Sequence, residues 1–177
     1  MARYVALLRA INVGKRIVKM ERLRALFEEM GFRNVETLIA SGNVLFDSAA
    51  RASAPIEKKI EHHLFKTLGY DVETFVRTPA ELAAVVAAKP FVGSTLHTES
   101  NALYVGFLKS APAADAEARL VALGNDFDEF RVHGREYYWS SRRSMGQSTV
   151  TGVAIERALK APSTMRNITT VRRLGTG

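Results

Sequence analysis

The order of β-type and helical segments repeats along the chain, and this repeat constrains the fold more than any other feature. Residues 4–8, YVALL, form an apolar run typical of a buried strand, and residues 104–108, YVGFL, repeat it in character. Each run is followed by an amphipathic helix and then by two short β-type runs around a glycine, Gly42 in the first half and Gly134 in the second. One pattern occurring twice in 177 residues predicts two halves of the same topology.

The first half contains a complete set of predicted segments. Apolar residues at helical spacing predict a first helix over residues 20–30. Two short strands within residues 35–47 are expected to join through a two-residue turn at Gly42-Asn43. A second helix over residues 55–69 and a strand over residues 70–77 then follow. The resulting order, β-α-β-β-α-β, is the ferredoxin-like arrangement.

The second half is predicted to follow the same plan after a short connection. Thr78-Pro79-Ala80-Glu81 combines a threonine cap, a proline at the first helical position and a glutamate that can reach back, so a helix to about Ala88 is expected. Residues 89–100 mix Pro, Gly, Ser and Thr without periodicity, which is typical of a linker. Beyond them we expect helices over 112–123 and 148–160 and a hairpin over 129–139.

These segments predict an α/β (α+β) fold made of two consecutive ferredoxin-like βαββαβ-type halves with mostly antiparallel sheets. The predicted domain limits are 1–88 for the first half, 89–100 for the linker, and 101–177 for the second half with its basic C-terminal helical segment.

The composition is that of a soluble globular protein, with 47% hydrophobic and 24% charged residues. The absence of cysteine excludes a disulfide scaffold, a cysteine-ligated zinc site and a cysteine nucleophile. The N-terminal stretch carries an arginine inside its apolar run, so it is interpreted as a strand and not as a signal peptide. No run approaches the roughly 18 apolar residues of a membrane helix. We therefore expect a cytoplasmic protein.

The net charge of +7 is concentrated near the C-terminus. Residues 1–138 hold 18 Lys and Arg against 17 Asp and Glu, whereas residues 139–177 hold seven basic residues against Glu156 alone. This asymmetry suits either an anionic partner such as a nucleic acid or a solvated basic helix face. Asn167 can cap a short helix whose apolar residues Ile168, Val171 and Leu174 would dock, so we expect the C-terminal segment to be ordered.

Two glycine-containing turns form the first candidate site. In a βαββαβ unit the first and second strands run in the same direction, so the loop after strand one and the hairpin between strands two and three emerge at the same end of the sheet. Free turn amides with nearby cations suit an anion, such as a phosphorylated small molecule. The residues predicted to contact it are Arg9, Asn12, Gly14, Lys15, Arg16, Ser41, Gly42 and Asn43.

The same residue types are also common in ordinary turns, and that alternative stays open. The phosphate-binding motif G-x-x-x-x-G-K-[ST] is absent, because Arg9 and Arg16 stand where its first glycine and its final hydroxyl belong. A dinucleotide fingerprint after a strand is absent as well.

The sequence predicts no catalytic constellation, no metal and no cofactor. The adjacent His62 and His63 point about 100° apart on a helix, so they make a poor metal pair. His97 and His133 have no partner motif in the sequence. Residues 137–139, YYW, would alternate across a strand, where they could stack bases or be core, and large aromatics on a strand favour core.

Three stretches of the chain resemble the bacterial family named as domain of unknown function 1697. They are LLRAINVG with KMERLR, the string G-F-x-N-V-x-T-x-I-x-S-G-N-V-x-F over residues 31–46, and T-x-R-N-x-x-T-V over residues 164–171. The resemblance implies an α/β architecture and no established activity, and it adds Thr164, Arg166 and Asn167 to the residues predicted to bind a ligand. The family usually has glycine at the position of Lys15 and tryptophan at that of Ile168, so any role of those two positions is expected to differ here.

Overall fold

The structure is a computed structural model, and it describes residues 1–38, 42–143 and 145–176. The chain divides into two compact units, Met1–Ala84 with Arg172–Gly177, and Val85–Val171. The helices and strands, in chain order, are β1 (Ala2–Leu8), α1 (Met20–Glu29), β2 (Arg33–Thr37), β3 (Asn43–Ser48), α2 (Ser53–Leu68), β4 (Thr74–Arg77), α3 (Pro79–Ala87), β5 (Ala102–Phe107), α4 (Ala114–Val121), β6 (Asp128–His133), β7 (Glu136–Ser141), α5 (Gly152–Leu159), β8 (Thr164–Asn167) and α6 (Ile168–Leu174).

The first unit contains a four-stranded sheet of order β2-β3-β1-β4. Strand β1 pairs antiparallel with both β3 and β4. Apolar side chains on one face of this sheet pack with α1 and α2 in a single core that includes Ala6, Phe27, Phe46 and Ile60. The buried residues 4–8 of β1 confirm the central strand predicted from the apolar run.

The second unit repeats this topology, with a sheet of order β6-β7-β5-β8 in which β5 pairs antiparallel with β7 and β8. Its core contains Leu120, Phe130, Trp139 and Ile155. Both sheets have the ferredoxin-like strand order, so the predicted fold class is confirmed.

Gly106, the fifth of the six residues of β5, occupies a position that has no room for a side chain. The ring of Tyr137 lies over it, so that a Cβ at this position would be 2.0 Å from the ring carbons. A glycine inside a strand commonly marks such a close approach. In the first half the corresponding residue is Ala6, which pairs with Val44 and not with a tyrosine.

Helix starts agree with the predicted capping residues in two places. The Thr78 hydroxyl accepts a hydrogen bond from the Glu81 amide over 3.1 Å at the start of α3. Asn167 Oδ1 accepts from the Thr169 amide over 2.9 Å at the start of α6, where Val171 and Leu174 are buried. The C-terminal segment therefore forms the docked helix that its apolar spacing predicts.

One local prediction needs correction, and one strand was not located from the sequence. Asn43 is the first residue of β3, so it is not one of two turn residues as predicted. Residues 39–41 of the β2–β3 connection lie outside the described residues. Gly42 keeps the positive φ expected of a turn glycine, at 82°, and an added Cβ there would lie close to Leu8 and Ile11. The predicted second βαββαβ half implies a fourth strand, but the sequence did not locate it: the four residues of β8 are too few and too polar to show alternation.

The unit boundaries lie at other positions than the predicted domain limits. Residues 85–100 belong to the second unit, and α6 is divided at Val171. The predicted linker is packed against the second sheet, since Phe91 is buried and Ser94 donates a hydrogen bond to Glu129 of β6. The limits 1–88, 89–100 and 101–177 stay a sequence-based prediction. No helix within the described ranges is long and apolar enough to cross a membrane.

Candidate functional site

The loop after β1 folds into a tight turn, which we call the anion turn and define as residues 12–16. The Asn12 amide donates to the Arg16 carbonyl over 2.8 Å, and the Arg16 amide donates to the Val13 carbonyl over 3.1 Å. Asn12 and Gly14 both have left-handed backbones, with φ of 59° and 62°. The Asn12 side chain accepts from the Val18 amide over 2.6 Å, so this residue holds the turn in shape.

The β2–β3 connection meets the loop after β1, as the topology predicts. The Leu8 amide donates to the Gly42 carbonyl over 2.9 Å, and a Cβ on Gly42 would come within 2.5 Å of Ile11 Cγ2. Asn43 is fully buried and its side chain donates to the Leu38 carbonyl over 3.1 Å. Gly42 and Asn43 are therefore part of the framework of this corner. Ser41, also predicted to bind ligand, lies outside the described residues.

The cations of the loop are placed differently from one another. The Arg9 amide donates to the Glu73 carbonyl over 2.9 Å, which ties this residue to the segment before β4. The Arg16 guanidinium lies over the Tyr70 ring, 4.6 Å from its centroid. Lys15 is exposed at the tip of the turn, and no residue in the described part of the chain forms a hydrogen bond or an ion pair with its side chain.

The C-terminal candidates Thr164, Arg166 and Asn167 all lie on β8. Arg166 Nη1 donates to Thr164 Oγ1 over 2.7 Å and to the Met165 carbonyl over 3.0 Å. Burial lowers the pKa of Arg166 to about 10. Asn167 uses its side chain to cap α6. Thr164 and Arg166 thus contact each other within β8, whereas Asn167 joins β8 to α6.

The aromatic residues of β7 are core. Tyr137, Tyr138 and Trp139 are each at most 2% exposed. Burial raises the pKa of Tyr137 to about 12, and the Tyr138 hydroxyl donates to the Val85 carbonyl over 3.1 Å. None of these rings is available to stack a base.

A second polar site, which sequence reasoning missed, lies in the second unit. We call it the β7 cleft: a cavity of about 520 Å³ at the end of β7, beside the segment that leads into β5. Its lining residues are Thr98, Ser100, Asn101, Ala102, Ser141, Arg142 and Arg143. The sequence signals were the polar stretch 98–101 and the pair Arg142-Arg143, but only pairing of β5 with β7 brings these two segments together.

Hydrogen bonds behind the β7 cleft attach the segment 94–101 to the sheet. His97 Nδ1 lies 2.6 Å from Ser140 Oγ, and Asn101 Nδ2 donates to the same oxygen over 3.1 Å. The His97 ring also stacks on Phe91 with centroids 4.7 Å apart. A serine and a histidine at this distance can act as nucleophile and base. Here Ser140 is fully buried, so the pair fastens the segment instead.

Asp128, buried at the start of β6, forms a hydrogen bond with Ser141 of the cleft wall. Burial raises the pKa of its carboxyl group, but four side-chain hydrogen bonds outweigh burial and hold this pKa below its ordinary value. The donors are Ser141, Trp139 Nε1 at 2.9 Å, Asn125 Nδ2 at 3.1 Å and Ser148 Oγ at 3.2 Å. The charged carboxylate thus orders the loops that flank the cleft. Within the described ranges, no three His, Asp or Glu side chains are grouped so that they could hold a metal ion.

Comparison with known proteins adds the fold and the family. The structure of the conserved bacterial protein SP0830 from Streptococcus pneumoniae is similar, with a TM-score of 0.72 and 22% identity over 99% of this chain and 97% of that one. At this identity the similarity concerns the fold. No curated protein matches the chain. Residues 1–138 match the family described as protein of unknown function (DUF1697), which confirms the resemblance seen in the sequence. The chain is a member of that family.

Proposed function

We propose that the protein binds a small anionic ligand, a phosphorylated molecule, at the anion turn. The observation that carries this proposal is the unpaired tip of the turn. Within the described residues, neither the amides of Gly14 and Lys15 nor the Lys15 ammonium has a hydrogen-bond partner, whereas the backbone on both sides is fixed. A preordered turn with open amides and a cation is the usual protein arrangement for an anion.

Within the anion turn the residues take different parts in the proposed site. Lys15 and the Gly14 amide would contact the ligand, and Arg16, held over Tyr70, would add positive charge beside them. Asn12, Gly42 and Asn43 would keep the corner in shape through the contacts described above. Ligand contacts by Arg9, Thr164, Arg166 and Asn167 stay predictions from the sequence.

The test is a thermal-shift screen of phosphorylated and carboxylated metabolites, followed by titration of each hit. Charge-assisted hydrogen bonds contribute roughly 1.5–3 kcal/mol, so Lys15→Ala should raise the Kd of a phosphorylated hit by about ten- to a hundredfold. Lys66→Ala is the matched control, because Lys66 is an exposed lysine of the same unit, on α2, and it should leave Kd unchanged. Hits that shift the wild type and the Lys15→Ala variant equally would place the ligand elsewhere.

Nucleic acid is the second candidate, supported by Arg172 and Arg173, which are exposed at the end of α6. The buried aromatic residues of β7 leave phosphate contacts as the basis of such binding. Affinity resting on several phosphate contacts falls steeply with salt, while a single anionic metabolite depends on salt weakly. Labelled single and double strands titrated at two salt concentrations separate these cases, and no binding at low salt removes nucleic acid. If neither ligand class binds, a structural or partner-binding role is left.

A further inference from the structure

We propose that the β7 cleft is a second anion-binding site, which takes a small phosphate monoester. All of its lining residues belong to the unit Val85–Val171, whereas the anion turn belongs to the other unit. Its volume of about 520 Å³ lies within the range of small-molecule pockets. Ala102 is the sole apolar residue among those that line it, so a polar ligand fits its chemistry.

The positive charge of the cleft comes from two arginines that have no ion-pair partner among the described residues. Arg142 and Arg143 both line the cavity, and neither forms an ion pair with a carboxylate in the described part of the chain. Other arginines of the same unit do form such pairs: Arg131 lies 2.7 Å from a Glu129 oxygen, and Arg119 lies 3.1 Å from an Asp115 oxygen. Two adjacent guanidinium groups without a counter-ion favour a ligand of double negative charge.

The two guanidinium groups are also held in place before any ligand binds. Arg143 stacks on Phe127, with its Cζ atom 3.4 Å from the ring centroid, and its Nη1 donates to the Gln147 carbonyl over 3.4 Å. Arg142 Nε donates to the Leu96 carbonyl over 3.3 Å. A guanidinium has five N–H donors, so most donors of each group are left for a ligand. Preordering of this kind reduces the entropy lost on binding.

The opposite wall supplies neutral polar groups. Thr98 Oγ1 donates to Asn101 Oδ1 over 2.9 Å and lies 2.8 Å from Ser100 Oγ. Because the Thr98 proton is used on Asn101, the Ser100 hydroxyl points its own proton at Thr98, and rotation about its C–O bond would turn that proton to a ligand oxygen. Glu99 is exposed between these residues and is not among those that line the cleft. The wall can therefore present the Ser100 hydroxyl to an anion held by the arginines.

The proposal is tested by nuclear magnetic resonance on the full, isotope-labelled chain, with inorganic phosphate and glycerol 3-phosphate as probes and sodium chloride at equal ionic strength as reference. We expect saturable shifts of the Asn101, Ala102, Arg142 and Arg143 amides with both phosphate probes and not with chloride. Arg143→Ala should raise the Kd at these resonances by about ten- to a hundredfold.

Three further variants separate binding from folding. Arg142→Ala should weaken the same site without removing the stack on Phe127, and Arg143→Lys should fall between Arg143→Ala and the wild type because it keeps the charge but not the planar fork. Arg157→Ala, an exposed arginine of α5, should have no effect.

Equal Kd values for the wild type, Arg142→Ala and Arg143→Ala would overturn the proposal. So would shifts that chloride reproduces, or an absence of saturable shifts at the cleft with both phosphate probes. Shifts confined to Gly14 and Lys15 would overturn this inference while supporting the anion turn, so the two sites can fail separately.

Discussion

At the scale of single residues, Gly42 lies beside the anion turn at a position that has no room for a side chain. Its backbone φ is 82°, and an added Cβ would lie 2.5 Å from Ile11 Cγ2 and 3.2 Å from Leu8 Cβ. Gly42→Ala should therefore lower the free energy of unfolding by about 1–3 kcal/mol, measured by chemical denaturation. Gly14→Ala is the control, because Gly14 also has a positive φ but nothing within 4 Å of the added atom. Equal losses for the two variants would show that contact with Ile11 contributes nothing.

At the scale of secondary-structure elements, carboxylates of α2 protect the edge strand β4. Glu57 Oε2 accepts from the Val76 amide over 2.8 Å, and Glu61 Oε2 accepts from the Thr74 amide over 3.0 Å. The second half uses the same device, since Glu156 Oε2 of α5 accepts from the Ser163 amide over 3.1 Å just before β8. Outward amides of an edge strand otherwise invite pairing with another chain. The repeat therefore extends from topology to the contacts of its fourth strand.

Removing one of these carboxylates should destabilise β4 locally. Because Glu57 and the Val76 amide are buried, Glu57→Ala leaves a donor unsatisfied and should lower the free energy of unfolding by about 1–3 kcal/mol. Amide hydrogen exchange at Val76 should accelerate more than at Val5 in the centre of the sheet. Glu57→Gln keeps an acceptor oxygen and should lie closer to the wild type. Unchanged exchange at Val76 in the alanine variant would contradict the role given to Glu57.

At the scale of the whole molecule, stability should fall in acid because each unit contains an aspartate with a lowered pKa. Hydrogen bonds from Asn34 and Arg3 lower the pKa of Asp47 in the first unit, and the network around Asp128 does so in the second. A pKa lowered in the folded state adds stability that is present above the unfolded pKa, 3.8 for aspartate, and is lost as the pH falls through the folded value.

Denaturation measured between about pH 6 and pH 2 checks this expectation. Asp128→Asn should be less stable than the wild type at neutral pH and should lose less stability on acidification, because the titrating carboxylate is gone. Asp126→Asn, at an exposed aspartate two positions away, should leave the profile unchanged. A wild-type profile that the Asp128→Asn variant reproduces over the whole range would show that this carboxylate does not govern acid stability.

The fold could be predicted because its signals are local. The buried run of β1, the helical spacing of α1 and the cap at Thr78 each depend on residues a few positions apart. Such patterns can be recognised in the sequence without knowledge of the tertiary structure. The core position of Tyr137 to Trp139 followed from their size and strand placement. Strand β8 lacked such a signal, because its four residues, TMRN, show no alternation of their own and form a strand by pairing with β5.

The two candidate sites were determined in different ways. Sequence and topology alone brought the loop after β1 and the β2–β3 connection to one corner, because strand direction in a βαββαβ unit determines which loops meet. Tertiary structure decided which residues of that corner are free: Asn12 and Gly42 are used in packing and hydrogen bonding, while Lys15 is exposed. The β7 cleft was decided by tertiary structure alone, since strand pairing joins segments about forty positions apart, as in the contact of Asn101 with Ser140. A side chain's residue type belongs to the sequence, but whether its polar atoms are satisfied depends on what the folded chain places beside it.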